Sequence, residues 1–175
     1  MQAKERRQRI LEFLQTQTEP VTASQLAKQF KVSRQIIVGD IALLRAHEHD
    51  ILATNQGYLL TSQLVPRASR YTAKVVVQHE PEASEAELRL IVDHGGEVED
   101  IQVDHPFYGL ITAPLNIRSH QDVDYFMEQM ALYSGTYLSS LTNGIHIHTV
   151  SCVDKQTFEK LLGAMGDAGL LLDEE

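Results

Sequence analysis

His146 and His148 stand two apart in the alternating run Ile145–Val153, so a strand there projects both imidazoles from one face. Two imidazoles on one sheet face can chelate a transition metal. His79 ends an earlier alternating run, Tyr71–Gln78, and Glu87 lies about one and a half turns into the helix that follows. They are candidate third and fourth ligands. A plainer reading stands beside this one: an H-x-H pair held by hydrogen bonds, with Glu87 on a solvated acidic face alongside Glu80, Glu82 and Glu85. A metal-bound water can also act as a nucleophile, with Glu87 as its base. No nucleophile elbow or pair of carboxylates accompanies the site, and a hydrolase is the weakest of the three alternatives.

A second chemistry is carried by Ser33, Arg34 and Gln35, which open a helix expected over residues 34–45. Helical spacing puts Ile36, Ile37, Ile41, Leu43 and Leu44 on a broad apolar arc and Arg34, Gln35, Val38, Gly39, Ala42 and Arg45 opposite it. Polar residues at the start of a helix anchored by an apolar stripe suit a DNA recognition helix, whose first turns reach base edges. Gly39 breaks the expectation of a long polar side chain on that face. Either DNA approaches closely there or a contact is missing. Asp40 falls within the apolar arc, where an ion pair to an arginine of the first helix would neutralise it.

The elements that position this helix are legible on either side. Ala3–Gln17 has Ile10, Leu11, Phe13 and Leu14 at helical spacing, and Pro20 ends it. Thr22 is a natural N-cap for a helix over Ala23–Phe30, Lys31-Val32 a turn, and Ser33 the next N-cap. Ile51–Leu52 and Tyr58–Leu60 flank Thr54-Asn55-Gln56-Gly57 as a hairpin. Three helices and a hairpin make a winged helix-turn-helix, with Asn55 and Gln56 of the wing near the flanking groove and Arg45 on phosphate. His47 and His49 read as solvated loop residues.

The 175 residues carry a net charge of −9, which is unevenly placed. Residues 1–65 hold eight Lys/Arg against six Asp/Glu, and residues 66–175 hold seven against eighteen. Phosphate attraction depends on local charge, so the acidic remainder is expected to stay off DNA. No run approaches the roughly 18 apolar residues of a membrane span, and no signal peptide is visible, which predicts a cytoplasmic protein. The one cysteine, Cys152, reads as a buried hydrophobe.

A domain boundary is expected in Gln63–Arg70, with domains over 1–65 and 70–175. Beyond it, strands at 71–78, 97–105, 108–118 and 145–153 alternate with helices at 82–94, 121–132 and 154–168. In the first of these helices Ala86, Leu90 and Ile91 are expected inward. Pro114 marks an edge strand or bulge. The order β-α-β-β-α-β-α predicts an α+β sandwich with helices on one face of the sheet. His94 fits a helix C-terminus and His120 a helix start.

Ser33, Arg34, Gln35, Ile37, Val38, Asp40, Ile41, Leu44 and Arg45 match the pattern S-R-Q-x-I-V-x-D-I-x-x-L-R. With it the N-terminal third resembles the winged-helix domain of bacterial metabolite-responsive repressors. Val76–His79, the D-H-P-x-Y-G turn at Asp104–Gly109 and N-G-I-H-I-H-T at Asn143–Thr149 resemble the three-histidine (3H) domain. The pairing is similar to niacin-responsive repressors of the NiaR type. That resemblance implies a homodimer on operator DNA, a palindrome being read by two-fold symmetry. It also implies control of NAD biosynthesis or niacin transport genes, nicotinic acid as co-effector, and no enzymatic activity. It assigns a divalent metal, nickel or zinc, to His79, Glu87, His146 and His148. His105 and Tyr108 of the D-H-P-x-Y-G turn are candidate effector contacts, the alternative for His105 being to stabilise the turn. A repressor answering to the metal alone, without niacin, is the rival reading within the same class.

Overall fold

The computed structural model describes residues 2–47, 49–61, 70–132 and 135–172. The chain forms two compact units, Met1–Pro66 and Arg67–Glu175. The boundary expected in Gln63–Arg70 lies almost wholly outside the described residues.

In the first unit α1 (Ala3–Gln15), α2 (Ala23–Phe30) and α3 (Arg34–Ala46) precede the hairpin β1 (Ile51–Thr54) and β2 (Gly57–Leu60). Thr22 caps α2 in a reciprocal box with Gln25, and the Ser33 hydroxyl accepts the Ile36 amide at the start of α3. The turn between the two helices passes through Lys31 at φ 54°. Ile10, Leu14, Leu26, Ile37, Ile41 and Leu44 fill one core. Asp40 is 4% exposed and meets the Arg6 guanidinium at 2.5 Å and that of Arg7 at 3.5 Å, the ion pair to the first helix that its position calls for. Gly57, at φ +132°, lets the wing lie against Val21, whose carbonyl carbon would be 2.4 Å from a Cβ there. Val21 and Tyr58 exchange backbone hydrogen bonds at this crossing.

One expectation needs correction here. The buried stripe of α3 is Ile37, Asp40, Ile41 and Leu44, whereas Ile36 and Leu43 are exposed. The i, i+3, i+4, i+7 spacing makes a narrower stripe than the apolar arc drawn from residue types, and a paired carboxylate occupies one of its positions.

The second unit is a four-stranded antiparallel sheet in the order β3-β6-β4-β5, with β3 at Tyr71–Gln78, β4 at Glu97–His105, β5 at Gly109–Ile117 and β6 at Ile145–Cys152. Helices α4 (Ser84–Asp93), α5 (His120–Leu132) and α6 (Lys155–Asp167) pack against it. Val75, Val77, Val98, Leu115, Val150 and Cys152 from the strands meet Leu88, Ile91, Val123, Phe158, Leu161 and Met165 from the helices. This is the α+β architecture expected, and β5, which carries Pro114, is an edge strand. Pro114 pairs with Asp100 beside a bulge in β4. Cys152 is buried, and burial pushes its thiol pKa up.

In α4 the inward residues are Ser84, Glu87, Leu88 and Ile91, and Ala86 is exposed. Ile91 is buried and Leu90 packs against the core as expected, and Ala86 alone gives up its inward place, to the carboxylate of Glu87. No helix among the described residues is long and apolar enough to cross a membrane.

Candidate metal centre and nucleic-acid interface

The inward-facing Glu87 is met by three imidazoles. Antiparallel pairing of β3 with β6 sets Val77 opposite His146 and Val75 opposite His148. His79, just past the end of β3, reaches the same place. His79 Nε2 lies 2.8 Å from Glu87 Oε2 and His146 Nε2 lies 3.5 Å from it, while His148 Nε2 is 3.4 Å from Oε1. The side chains of Glu87, His146 and His148 are each 2% exposed and that of His79 is 5% exposed. The rings of His79 and His146, and of His146 and His148, stand nearly perpendicular with centroids 4.9 and 4.8 Å apart.

The outer nitrogens are held by the backbone. Nδ1 faces the carbonyl of Glu80 in His79 at 2.9 Å, of Gly144 in His146 at 2.9 Å, and of Asp100 in His148 at 2.8 Å. A carbonyl only accepts, so each Nδ1 carries hydrogen and each Nε2 is presented inward. The bulge between Val98 and Asp100 is what brings the Asp100 carbonyl to His148. The loop before β6 is shaped by Asn143 at φ 50° and Gly144 at φ +82°.

Burial would by itself raise the Glu87 carboxyl. The positive charge of His148 and the approach of the other two imidazoles outweigh it and hold the group well below the usual carboxylate range. The hydrogen bond to Glu87 raises His79 against the opposing effect of burial. Burial lowers His148, and the Glu87 charge more than reverses this, leaving it raised. Glu87 Oε1 has no hydrogen-bond partner, since the His148 approach at 3.4 Å is too poorly aligned to be one. Three ring nitrogens with fixed tautomers, converging on a buried carboxylate with an orphaned oxygen, fit a divalent transition metal. His79, Glu87 and His146 place their ligand atoms within 4.8 Å of one another. His148 lies outside that trio and approaches the other oxygen of the same carboxylate, Oε1 of Glu87, at 3.4 Å.

Beside this cluster lies a cavity of about 170 Å³. Glu87, His146 and His148 line it together with Leu115, Phe126, Met130 and Tyr137. An engineered apolar cavity of about 150 Å³ accommodates benzene, so this one has room for a single aromatic ring. Residue types alone did not point to Phe126, Met130 or Tyr137. The nearest signal was the i, i+4 spacing of Phe126 and Met130 on one face of α5. His105 and Tyr108 are not among the lining residues. His105 Nδ1 accepts the backbone amides of Phe107 and Tyr108 at 3.2 and 3.3 Å, and so stabilises the β4–β5 turn, and the Tyr108 side chain is exposed. His94 donates to the Leu90 carbonyl near the end of α4, and His120 meets Asp93 at the start of α5.

In the first unit Ser33, Arg34, Gln35 and Arg45 are exposed along α3. Gln56 lies at the wing tip, its backbone N–H donating to Thr54 Oγ1 at 3.1 Å. Both amide atoms of Asn55 are turned from solvent without a hydrogen-bond partner among the described residues. A wing contact from Asn55 therefore requires its side chain to turn outward.

Residues 6–59 match the HTH domain family and residues 72–174 match the 3H domain family. The chain is 36% identical over 169 residues to the transcription repressor NadR of Bacillus subtilis, covering 97% of this chain and 94% of the relative. It is also 36% identical over 170 residues to a protein of Thermotoga maritima named a probable transcription repressor NiaR, covering 97% and 95%.

Proposed function

Because this chain belongs to the helix-turn-helix and 3H-domain family of transcription repressors, regulators rather than enzymes, we propose that it is a niacin-responsive repressor with a metal in its sensing domain. It binds operator DNA as a homodimer in the cytoplasm and controls genes of NAD biosynthesis or niacin transport. Arg34 and Gln35 contact base edges and Arg45 a phosphate. Ser33 holds the helix start against the DNA, with the wing residues Asn55 and Gln56 beside the flanking groove.

His79, Glu87, His146 and His148 hold the divalent metal, nickel or zinc, through Nε2 atoms and a carboxylate oxygen. The single observation that carries this reading is that Glu87, His146 and His148 of the cluster form one wall of a largely apolar, ring-sized cavity. Nicotinic acid is a pyridine ring bearing a carboxylate. The metal, when bound, supplies a positive site for that carboxylate. Phe126, Met130 and Tyr137 supply the apolar surface for the ring. A contact from His105 and Tyr108 does not arise at this cavity, so the ring-binding role passes to α5 and the loop after it. Ligand binding changes operator affinity by favouring one arrangement of the DNA-binding units over another, a coupling that works equally in both directions.

Titration of nicotinate into metal-loaded protein tests the reading. Binding is expected in the unaltered protein and is expected to vanish in His146→Ala and to weaken in Phe126→Ala. Nicotinate binding that is indifferent to both substitutions would place the effector elsewhere.

A further inference from the structure

The outward face of α3 is unusual for a solvated helix. Arg34, Gln35 and Arg45 are its only exposed polar residues, and Ile36, Val38, Gly39, Ala42, Leu43 and Ala46 make up the rest. Val38 is 39% exposed, Ile36 42% and Leu43 47%. An exposed helix face ordinarily carries charged side chains. The fold gives no reason for the glycine either: a Cβ at Gly39 would have nothing within 4 Å. Glycine inside a helix is disfavoured relative to alanine, so its place here answers to something outside the chain.

The charge around this face indicates what that is. The one carboxylate of α3, Asp40, is buried against Arg6 and Arg7. Arg34 and Arg45 stand toward the two ends of the face, and Lys28 and Lys31 belong to the preceding helix and turn. An apolar surface framed by cations, with no exposed anion on α3 itself, complements a groove walled by phosphates. Within the major groove the apolar feature is the C5-methyl group of thymine.

We infer that α3 reads thymine methyl groups through Val38, Ala42 and the flanking Ile36 and Leu43, with Gly39 letting the groove wall come close. The inference rests on the DNA-binding reading above and adds the kind of sequence the helix selects. Arg34 and Gln35 serve base edges at the helix start. The turns that follow distinguish thymine from bases lacking the methyl group.

The test uses the full chain and a duplex that it selects from a random-sequence pool. That duplex is then made again with deoxyuridine for thymine, which removes the methyl groups and leaves the hydrogen-bonding edges intact. Affinity is expected to fall about fourfold for each contacted methyl, the equivalent of one buried methylene-sized group. Uracil outside the selected motif should change nothing. Val38→Ser should narrow the difference between the two duplexes, whereas Arg34→Ala should weaken both and leave their ratio unchanged. Gly39→Gln should bind the thymine duplex more weakly without a lower melting temperature. Equal affinity for the thymine and uracil duplexes overturns the inference while leaving DNA binding in place. Failure to select any duplex overturns both.

Discussion

A Cβ on Gly144 would lie 2.2 Å from the backbone carbonyl oxygen of His79. The backbone leading into β6 therefore packs directly on the backbone at the end of β3, and this contact brings His146 and His79 together. Gly144 is also at φ +82° and gives its carbonyl to His146 Nδ1. Gly144→Ala is expected to separate His79 from His146, abolish metal binding and destabilise the second unit by about 2–3 kcal/mol. Metal content and thermal denaturation of the variant check this. Full metal occupancy in Gly144→Ala would show that the close approach is dispensable.

Stability without metal should have a marked pH dependence. The raised imidazoles of His79 and His148 contribute stability that is fully present below their unfolded value of about 6.5 and is lost as pH rises through their folded values. Glu87 is lowered, so its contribution is present above an unfolded value of about 4.3 and is lost as pH falls through the folded one. Metal-free protein is thus expected to be most stable between these limits and to weaken on going to alkaline pH. Metal takes the place of the protons on the Nε2 atoms, so its affinity rises with pH over the same range and the alkaline loss disappears. Denaturation at pH 6 and pH 8.5, with chelator and with metal, measures both parts. Metal-free stability that is flat between those values would contradict the proton-holding role of the cluster.

Arg6→Ala should act on the first unit. It leaves Asp40 buried, with only Arg7 at 3.5 Å in reach. Loss of about 2–3 kcal/mol is expected, because an uncompensated buried carboxylate is costly. Asp40→Asn in the Arg6→Ala background should recover part of it. Chemical denaturation of the two variants gives the comparison, and an undiminished midpoint in Arg6→Ala would mean that Arg7 alone suffices.

Arg34→Ala is expected to weaken operator binding by about 1–3 kcal/mol if the guanidinium reaches a base edge. Affinity measured across a salt series separates the possibilities. A uniform loss with a reduced salt slope would assign Arg34 to phosphate instead.

The shared face of His146 and His148 was readable because strand alternation is a strict rule: H-x-H on β6 puts both rings on one side whatever else the chain does. The assignment of His79 and Glu87 to one site with them came from the family resemblance. Thr22, Ser33 and the wing glycine were readable for the same reason, each being a local requirement of backbone geometry. The burial of Glu87 was not, since hydrophobic periodicity turns Ala86 inward with Leu90 and Ile91, and a buried carboxylate in place of Ala86 follows only from three histidines elsewhere in the chain. The α3 stripe failed likewise, because residue type assigned Ile36 and Leu43 to the core and only packing against α1 and α2 decides which side is covered. The cavity depends on α5 meeting the sheet, a relation between distant segments that no local pattern carries.

The most direct test measures operator affinity in a matrix of metal-free and metal-loaded protein, each with and without nicotinate. Nicotinate is expected to change operator affinity only in the metal-loaded protein, and His148→Ala should remove that response. Operator affinity set by metal alone, with no further effect of nicotinate, would contradict the account.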